Sequence, residues 1–181
     1  MYGINLAASL ARETGKRVIL IDISPTGETV SHALGGTQRS QSVRLKRTGF
    51  DQAQVASVIL KHPASGFDTL NIAHDPRVTT DMTQVTPLLS YLANLYHFVI
   101  TDLPHQMDRT VFKALAQADQ IHLVSPDNRH DLQAVSGIIG ELKRTIQQAD
   151  TRIRVVINQS SKEVDPEKYA SILNHKVHAT L

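Results

Sequence analysis

The chain has 181 residues, no cysteine and a formal net charge of only +2. Its length suits one domain with a sizeable core, its lack of cysteine excludes disulfides and thiolate metal sites, and its small net charge gives no global sign of a nucleic-acid partner. No apolar run approaches the ~18 residues that a membrane-spanning helix needs, and the N-terminus does not resemble a signal peptide. These features fit a reducing, cytoplasmic compartment.

The apolar pattern alternates between helices and strands along the chain. In chain order, helices are predicted at 2–14, 25–34 (a helical turn), 51–60, 81–95, 109–118, 127–148 and 166–173. Strands are predicted at 18–22, 67–72, 98–101, 121–124, 153–157 and 176–178. Helices between apolar strands indicate parallel pairing with right-handed crossovers. We therefore predict one α/β domain over residues 1–181, with a mostly parallel sheet and helices on both faces.

Several residues are predicted to begin or end these helices. Gly15 suits the stop of the first helix, and Asp51 suits the N-cap of the helix that follows it in the chain. Asp127 is interpreted as the cap of the long helix, and Pro87 either starts or kinks its own helix. The core-facing stripe of the long helix is predicted to consist of Leu132, Val135, Ile139, Leu142 and Ile146.

Two apolar strands end on a carboxylate. Asp22 follows Val18-Ile-Leu-Ile and precedes a Pro/Gly turn, and Asp102 follows Phe98-Val-Ile-Thr and precedes Leu-Pro. The carboxyl ends of parallel strands meet at the sheet edge where ligands bind in open α/β folds. Hard oxygen ligands suit Mg²⁺ and its waters, so the two carboxylates predict a magnesium-nucleotide site. A Gly-x-x-x-x-Gly-Lys-Ser/Thr phosphate loop does not occur in these 181 residues.

A polar loop at 37–49 follows Gly35-Gly36 and carries four cations: Arg39, Arg44, Lys46 and Arg47. The simplest interpretation is a solvated turn. Basic surface for DNA phosphates and a docking loop for a protein partner are the alternatives. DNA is therefore a candidate partner but not the favoured one, and we expect no DNA binding at physiological salt.

A family resemblance covers almost the whole chain in the same order. The segments that carry it are 5–11, 18–22, 98–104, 116–119, 122–126 and 155–158. They resemble the MinD/ParA branch of P-loop ATPases. Within that branch, Asp102-Leu-Pro104 and the stretch Ala73-His-Asp-Pro-Arg77 are most similar to the CpaE/TadZ group, which is associated with Flp-type pilus assembly at the cell pole.

The resemblance implies a P-loop NTPase three-layer sandwich that binds ATP and Mg²⁺. Asp102 resembles the Walker B carboxylate, which holds Mg²⁺ through water, and Asp22 resembles the first carboxylate of the family's second-strand signature, which also faces the metal region. Asn158 resembles an adenine-reading Asn at the end of a late strand. The plain alternatives are that Asp102 caps the following turn, that Asp22 caps the turn at Pro25, and that Asn158 is a turn residue.

Ser24, Pro25 and Gly27 of this chain resemble the switch region of the family. Ser24 stands where ParA-like ATPases usually carry an Asp that helps to position the attacking water. A neutral Ser cannot accept a proton as a carboxylate does, so the substitution implies slow or absent hydrolysis. Pro25 and Gly27 are interpreted as turn formers.

The chain also departs from the family at both ends. It begins where the family's phosphate loop would have just ended, and the family has further helices beyond the position of Leu181. The absent first strand would leave the strands bearing Asp102 and Val124 without a shared neighbour. Two explanations are open: truncation of a larger ATPase, which we favour, or a degenerate relative that pairs otherwise.

The resemblance implies a CpaE/TadZ-like factor for polar localisation or assembly of a pilus or secretion system, without efficient ATP hydrolysis. A ParA/MinD-like ATPase that positions DNA or protein is one alternative, and a non-enzymatic interaction scaffold is another. In this chain ATP and Mg²⁺ binding is expected to be weak or absent, because no phosphate loop accompanies the carboxylates. Family partners would be a second copy in a homodimer and pilus or secretion assembly proteins, at the cell pole or membrane periphery.

Overall fold

The computed structural model describes residues 1–24, 30, 33–34, 42–43, 45, 49–62, 65–73, 84–105, 107–158 and 166–181. The chain forms two compact units, Met1–Ala114 and Leu115–Leu181. The predicted helical turn at 25–34 and the basic loop at 37–49 fall largely outside the described residues. The single ATPase-like domain expected over residues 1–181 stays a prediction.

The first unit contains a mostly parallel sheet. Its strands are β1 (Val18–Ser24), β2 (Ser42–Val43), β3 (Leu60–His62), β4 (Phe67–Ala73) and β5 (Phe98–Asp102). The parallel strands lie in the order β2–β4–β1–β5, and β3 pairs antiparallel with β4. Since β1 has a strand on each side and packed helices on each face, its residues Ile19, Leu20 and Ile21 are fully buried. This central position explains the continuous apolar run in the sequence.

Helices cover both faces of this sheet. They are α1 (Tyr2–Thr14), α2 (Gln52–Val58) and α3 (Val85–Leu95). One face of the sheet packs with α1 in a core of Ala7, Ala11, Val18, Leu20, Val30 and Phe67. The other face packs with α2 and α3, and the members of that core include Ile19, Ile21, Leu70, Val55, Val58, Leu88 and Leu92. The first unit is therefore a three-layer sandwich, as the sequence predicts.

The second unit contains a smaller parallel sheet. Helix α4 (Arg109–Gln117) contains the boundary between the units and is followed by β6 (Ile121–Pro126), α5 (Arg129–Thr145), α6 (Ala149–Arg152), β7 (Ile153–Asn158), α7 (Pro166–Leu173) and β8 (Val177–Thr180). The strands lie in the order β6–β7–β8. Helix α5 buries Leu132, Val135, Ile139 and Leu142, which confirms the predicted stripe within the helix. Ile146 is also buried, one residue beyond the helix end.

Three predicted helix signals are confirmed. Gly15 ends α1 in the left-handed conformation with a φ of 63°, and its N–H donates to the Ala11 carbonyl at 3.0 Å. Asp51 caps α2, where its side chain accepts from the Ala53 N–H at 2.9 Å. Helix α3 begins at Val85, so Pro87 lies in the first turn, where its missing N–H costs no intrahelical bond.

Two local predictions are wrong. The sequence pattern predicts a helix that ends at Leu60, but Leu60 begins β3, which forms a hairpin with β4 through a turn whose Gly66 has a φ of 75°. Asp127 was predicted to cap the long helix, but the N-cap is Asn128, whose side chain accepts from the Asp131 N–H at 2.9 Å. Asp127 instead accepts a hydrogen bond from the Tyr169 hydroxyl of α7.

The strands that bear Asp102 and Val124 each pair on one side only within the described part of the chain. β5 is hydrogen-bonded to β1, and β6 is hydrogen-bonded to β7. Four of the five β5 residues are half-buried, and Val124 of β6 is 38% exposed. The expectation that both strands lose a shared neighbour stays a prediction.

Candidate functional site

The structure brings Asp22 and Asp102 together at the carboxyl edge of the first sheet. The two residues are direct partners in the parallel pairing of β1 and β5. Residues in register on neighbouring parallel strands project to the same face, which here is the face that packs against α1. The sequence prediction that two strand ends present their carboxylates at one edge agrees with this geometry.

The two carboxylates lie in different environments. Asp22 is buried, with 2% of its surface exposed, and its Oδ2 accepts a hydrogen bond from the Val30 N–H at 3.1 Å. Asp102 lies at the outer strand and is more exposed. Partial burial raises the pKa of Asp102, the negative charge of Asp22 raises it further, and the N-terminal amino group lowers it. Two anions at one sheet edge favour a bound cation, because a cation relieves their mutual repulsion.

The raised pKa of Asp102 predicts a pH dependence of stability. The folded chain holds the Asp102 proton more tightly than the unfolded chain, so ionisation of this group costs stability. We expect the free energy of unfolding of the metal-free chain to fall as pH rises from the ordinary value of 3.8 through the raised pKa of Asp102. Asp102→Asn should remove that decrease and raise the melting temperature at neutral pH by on the order of 1–2 °C.

The measurement is a series of thermal melts across the acidic range without divalent cations. Asp119→Asn is the matched control. Asp119 is an exposed carboxylate of the second unit, and its replacement by Asn changes the net charge by the same amount as Asp102→Asn does. A parallel shift of the whole pH profile in both variants would contradict the prediction.

Asn158 belongs to the second unit. It ends β7, is half-buried, and lies in register with Pro126 at the end of β6. Asp127 follows Pro126 directly and is held by the Tyr169 hydroxyl. Asn158 therefore lies at the carboxyl edge of its own sheet, the edge at which ligands bind in open α/β folds, and its role stays a prediction.

The predicted switch residues are only partly described. Ser24 ends β1, with its backbone in register with Ala73 of β4. The Ser24 side chain, Pro25 and Gly27 lie outside the described residues, as do Arg39, Arg44, Lys46 and Arg47 of the basic loop.

Sequence reasoning missed two polar residues beside the carboxylates. Asn71 of β4 is in register with Asp22, and Ser42 of β2 is in register with Asn71. The available signal was the placement of two polar residues, Thr69 and Asn71, on either side of Leu70 in an otherwise largely apolar strand. The pairing of Asn71 with Ser42 could not be read from the sequence, because β2 has only two residues.

None of the described helices is long and apolar enough to cross a membrane.

The parallel strands, the helical layers and the carboxylates at the strand ends define the class of P-loop NTPase folds, and solved structures share this fold. A ParA family ATPase from Chlorobium tepidum TLS matches with a TM-score of 0.82 and 17% identity over 99% of this chain and 77% of that chain. The cell division ATPase MinD from Pyrococcus furiosus matches with a TM-score of 0.75 and 18% identity over 98% and 75%. MinD from Pyrococcus horikoshii OT3, whose structure is a complex with Mg-ADP, matches with a TM-score of 0.75 and 18% identity over 99% and 73%.

The family model AAA_31, described as an AAA domain, matches residues 2–157, so the chain belongs to this family. The chain is also 31% identical over 157 residues to the chromosome-partitioning ATPase Soj from Thermus thermophilus. That match covers 84% of this chain and 59% of the relative, so the chain spans less than two thirds of the relative's length. The match to AAA_31 and the similarity to Soj support the predicted MinD/ParA-type ATPase superfamily, and the finer CpaE/TadZ assignment stays a prediction.

Proposed function

We propose that the chain forms part of a ParA/MinD-like ATPase that positions DNA or protein and changes partners with its nucleotide state. The observation that carries this proposal is the register of Asp22 with Asp102 on adjacent parallel strands. Mg²⁺ binds through one or two carboxylates and keeps several waters, and this pair offers such a set. The relatives support the same cofactor, since one MinD structure contains Mg-ADP.

The two carboxylates would hold the metal and leave the phosphates to other groups. Asp102 would bind a water of the hydrated Mg²⁺ at the exposed end of the pair, and the buried Asp22 would supply the second charge. The N-terminal amino group lies close enough to Asp102 to lower its pKa, so the amino end of α1 is near the same edge. Amino ends of helices favour anions such as phosphate oxygens. In the second unit, Asn158 would read a base edge from the end of β7.

Hydrolysis by the proposed site would be slow. Ser24 follows Asp22 by two residues at the end of β1, where the family usually has an Asp. A hydroxyl group neither accepts a proton efficiently nor holds a water as a carboxylate does. Pro25 and Gly27 would form the turn of the switch region. A homodimer in the cytoplasm is the assembly that the family implies, with the basic loop available for DNA or a protein.

The second candidate function is a CpaE/TadZ-like role in the assembly of a pilus or secretion system at the cell pole. Two sequence features favour it: Asp102-Leu-Pro104, which starts on the last residue of β5, and the stretch Ala73–Arg77, which starts on the last residue of β4. In this case the basic loop would dock assembly proteins instead of DNA. A scaffold that keeps the fold without turnover is compatible with the same features.

The decisive experiment is Mg²⁺-dependent binding of a fluorescent ATP analogue to the purified chain. We expect weak but saturable binding that chelation of Mg²⁺ abolishes and that Asp102→Ala weakens further, with Asp119→Ala as the matched control. An unaffected Asp102→Ala variant, or no binding by a chain that melts cooperatively, would contradict the proposed site. Nucleotide-dependent retardation of a random DNA duplex would then favour the ParA-like role over the CpaE/TadZ-like role.

A further inference from the structure

A row of polar residues crosses four neighbouring strands of the first sheet. Ser42 of β2 pairs with Asn71 of β4, Asn71 pairs with Asp22 of β1, and Asp22 pairs with Asp102 of β5. All these pairs are parallel, so the four side chains project to one face at one level of the sheet. The row extends the edge that carries the two carboxylates by two further strands.

The middle of this row is buried. Asn71 and Asp22 are each 2% exposed, whereas Asp102 at the outer strand is solvent-exposed. A buried carboxylate or amide is costly unless it has polar partners, so an amide at this buried position needs a polar environment such as the one this row provides. The same position in an ordinary buried parallel strand would carry an aliphatic residue.

Asp22 thus has two unlike neighbours in the row. On the β5 side it faces the charge of Asp102, which repels it, and on the β4 side it faces Asn71, whose amide can donate a hydrogen bond to a carboxylate oxygen. The Oδ2 atom of Asp22 already accepts from the Val30 N–H. A donor on the β4 side would orient the carboxylate plane and keep its charge directed at the cation.

We infer that Asn71 is a positioning residue of the Asp22–Asp102 magnesium site, acting on the metal through Asp22. The inference rests on the proposed function, because it takes the two carboxylates to be the metal-binding pair. The observations that support it are the register of Asn71 with Asp22 and the burial of Asn71.

The test compares melting temperatures with and without MgCl₂, in the absence of nucleotide, for the unmodified chain and for Asn71→Leu. We expect Mg²⁺ to raise the melting temperature of the unmodified chain and Asn71→Leu to lose most of that rise. The matched control is Thr69→Val, a polar-to-apolar change two residues earlier on the same strand and face. Thr69 is 1% exposed, and its Oγ1 has no hydrogen-bond partner among the described residues, so this variant should keep the full rise.

A merely structural Asn71 would give a different pattern. Asn71→Leu would then shift the melting temperature equally with and without Mg²⁺, and the unchanged difference would overturn the inference. Asn71→Asp decides the question if Asn71→Leu does not fold. A third carboxylate in the row should lower the melting temperature without Mg²⁺ and enlarge the rise with it, and an unenlarged rise would also overturn the inference.

The inference can fail separately from the proposed function. Mg²⁺-dependent binding of the ATP analogue that is equally strong in the unmodified chain and in Asn71→Leu would keep the site and reject the role of Asn71. If the unmodified chain shows neither a Mg²⁺-dependent rise nor binding of the analogue, both proposals are wrong.

Discussion

Replacing Ile21 by Ala is expected to lower the free energy of unfolding of the first unit by about 3–4 kcal/mol. Ile21 is fully buried in β1, between β4 and β5, and belongs to the core formed with α2 and α3. Truncation removes buried methyl and methylene groups and leaves a cavity that a strand paired on both sides closes poorly. Because domains have only about 5–15 kcal/mol of stability, the loss would be a large share of the total.

The measurement is equilibrium unfolding in urea, followed by far-ultraviolet circular dichroism. Leu60→Ala is the matched control, because it makes a similar truncation in β3 at a position that is 39% exposed, and we expect it to cost less than about 1 kcal/mol. Equal losses in the two variants would contradict the central position of β1. Since Ile21 directly precedes Asp22, ligand binding by Ile21→Ala must be measured on the folded fraction alone.

The long elements of the fold were predictable because their signals are local. β1 begins with four apolar residues in a row, α1 ends at a glycine that takes a left-handed conformation, and α5 has a stripe at helical spacing. Each signal depends on residues within a few positions of one another. Such patterns determine the type of an element without knowledge of its partners.

The wrong predictions depend on partners that are distant or ambiguous. Leu60-Lys61-His62 has no strand pattern of its own and becomes β3 only by pairing with β4 across the turn at Gly66. Asp127 and Asn128 are both good N-cap residues in the sequence. Asn128 takes that role in the structure, while Asp127 pairs with Tyr169, which lies 42 positions further along the chain.

The candidate site, like the fold, was predictable only where its signals are local in the sequence. Asp22 and Asp102 each end an apolar run, so the rule for strand ends in parallel sheets was enough to bring them together. Their neighbours Asn71 and Ser42 were missed because register between strands is a non-local property, and a two-residue strand leaves no pattern. The role of Asn158, in the second unit, stays a prediction.

Replacing Asp22 by Asn is expected to weaken Mg²⁺-dependent binding of a fluorescent ATP analogue by about 10- to 100-fold. The variant removes one of two charges at the strand edge but keeps an oxygen that can accept the hydrogen bond from the Val30 N–H. The charge of Asp22 also raises the pKa of Asp102, so the pKa of Asp102 should move towards its ordinary value in the variant. Analogue titrations at several Mg²⁺ concentrations, with nuclear magnetic resonance titration of the Asp102 carboxyl, measure both effects.

Asp22→Ala separates the charge from the hydrogen bond. It loses the charge as Asp22→Asn does, but it also leaves the buried Val30 N–H without its acceptor, which costs about 1–3 kcal/mol. If Asp22 binds metal, both variants should weaken analogue binding by folded protein alike, and only Asp22→Ala should melt at a clearly lower temperature. If Asp22 serves only to hold Val30, Asp22→Asn should bind the analogue as the unmodified chain does. Asp119→Asn provides the control for net charge. Analogue binding and melting temperature of the two Asp22 variants, compared with this control, therefore show whether Asp22 binds the ligand or only supports the structure.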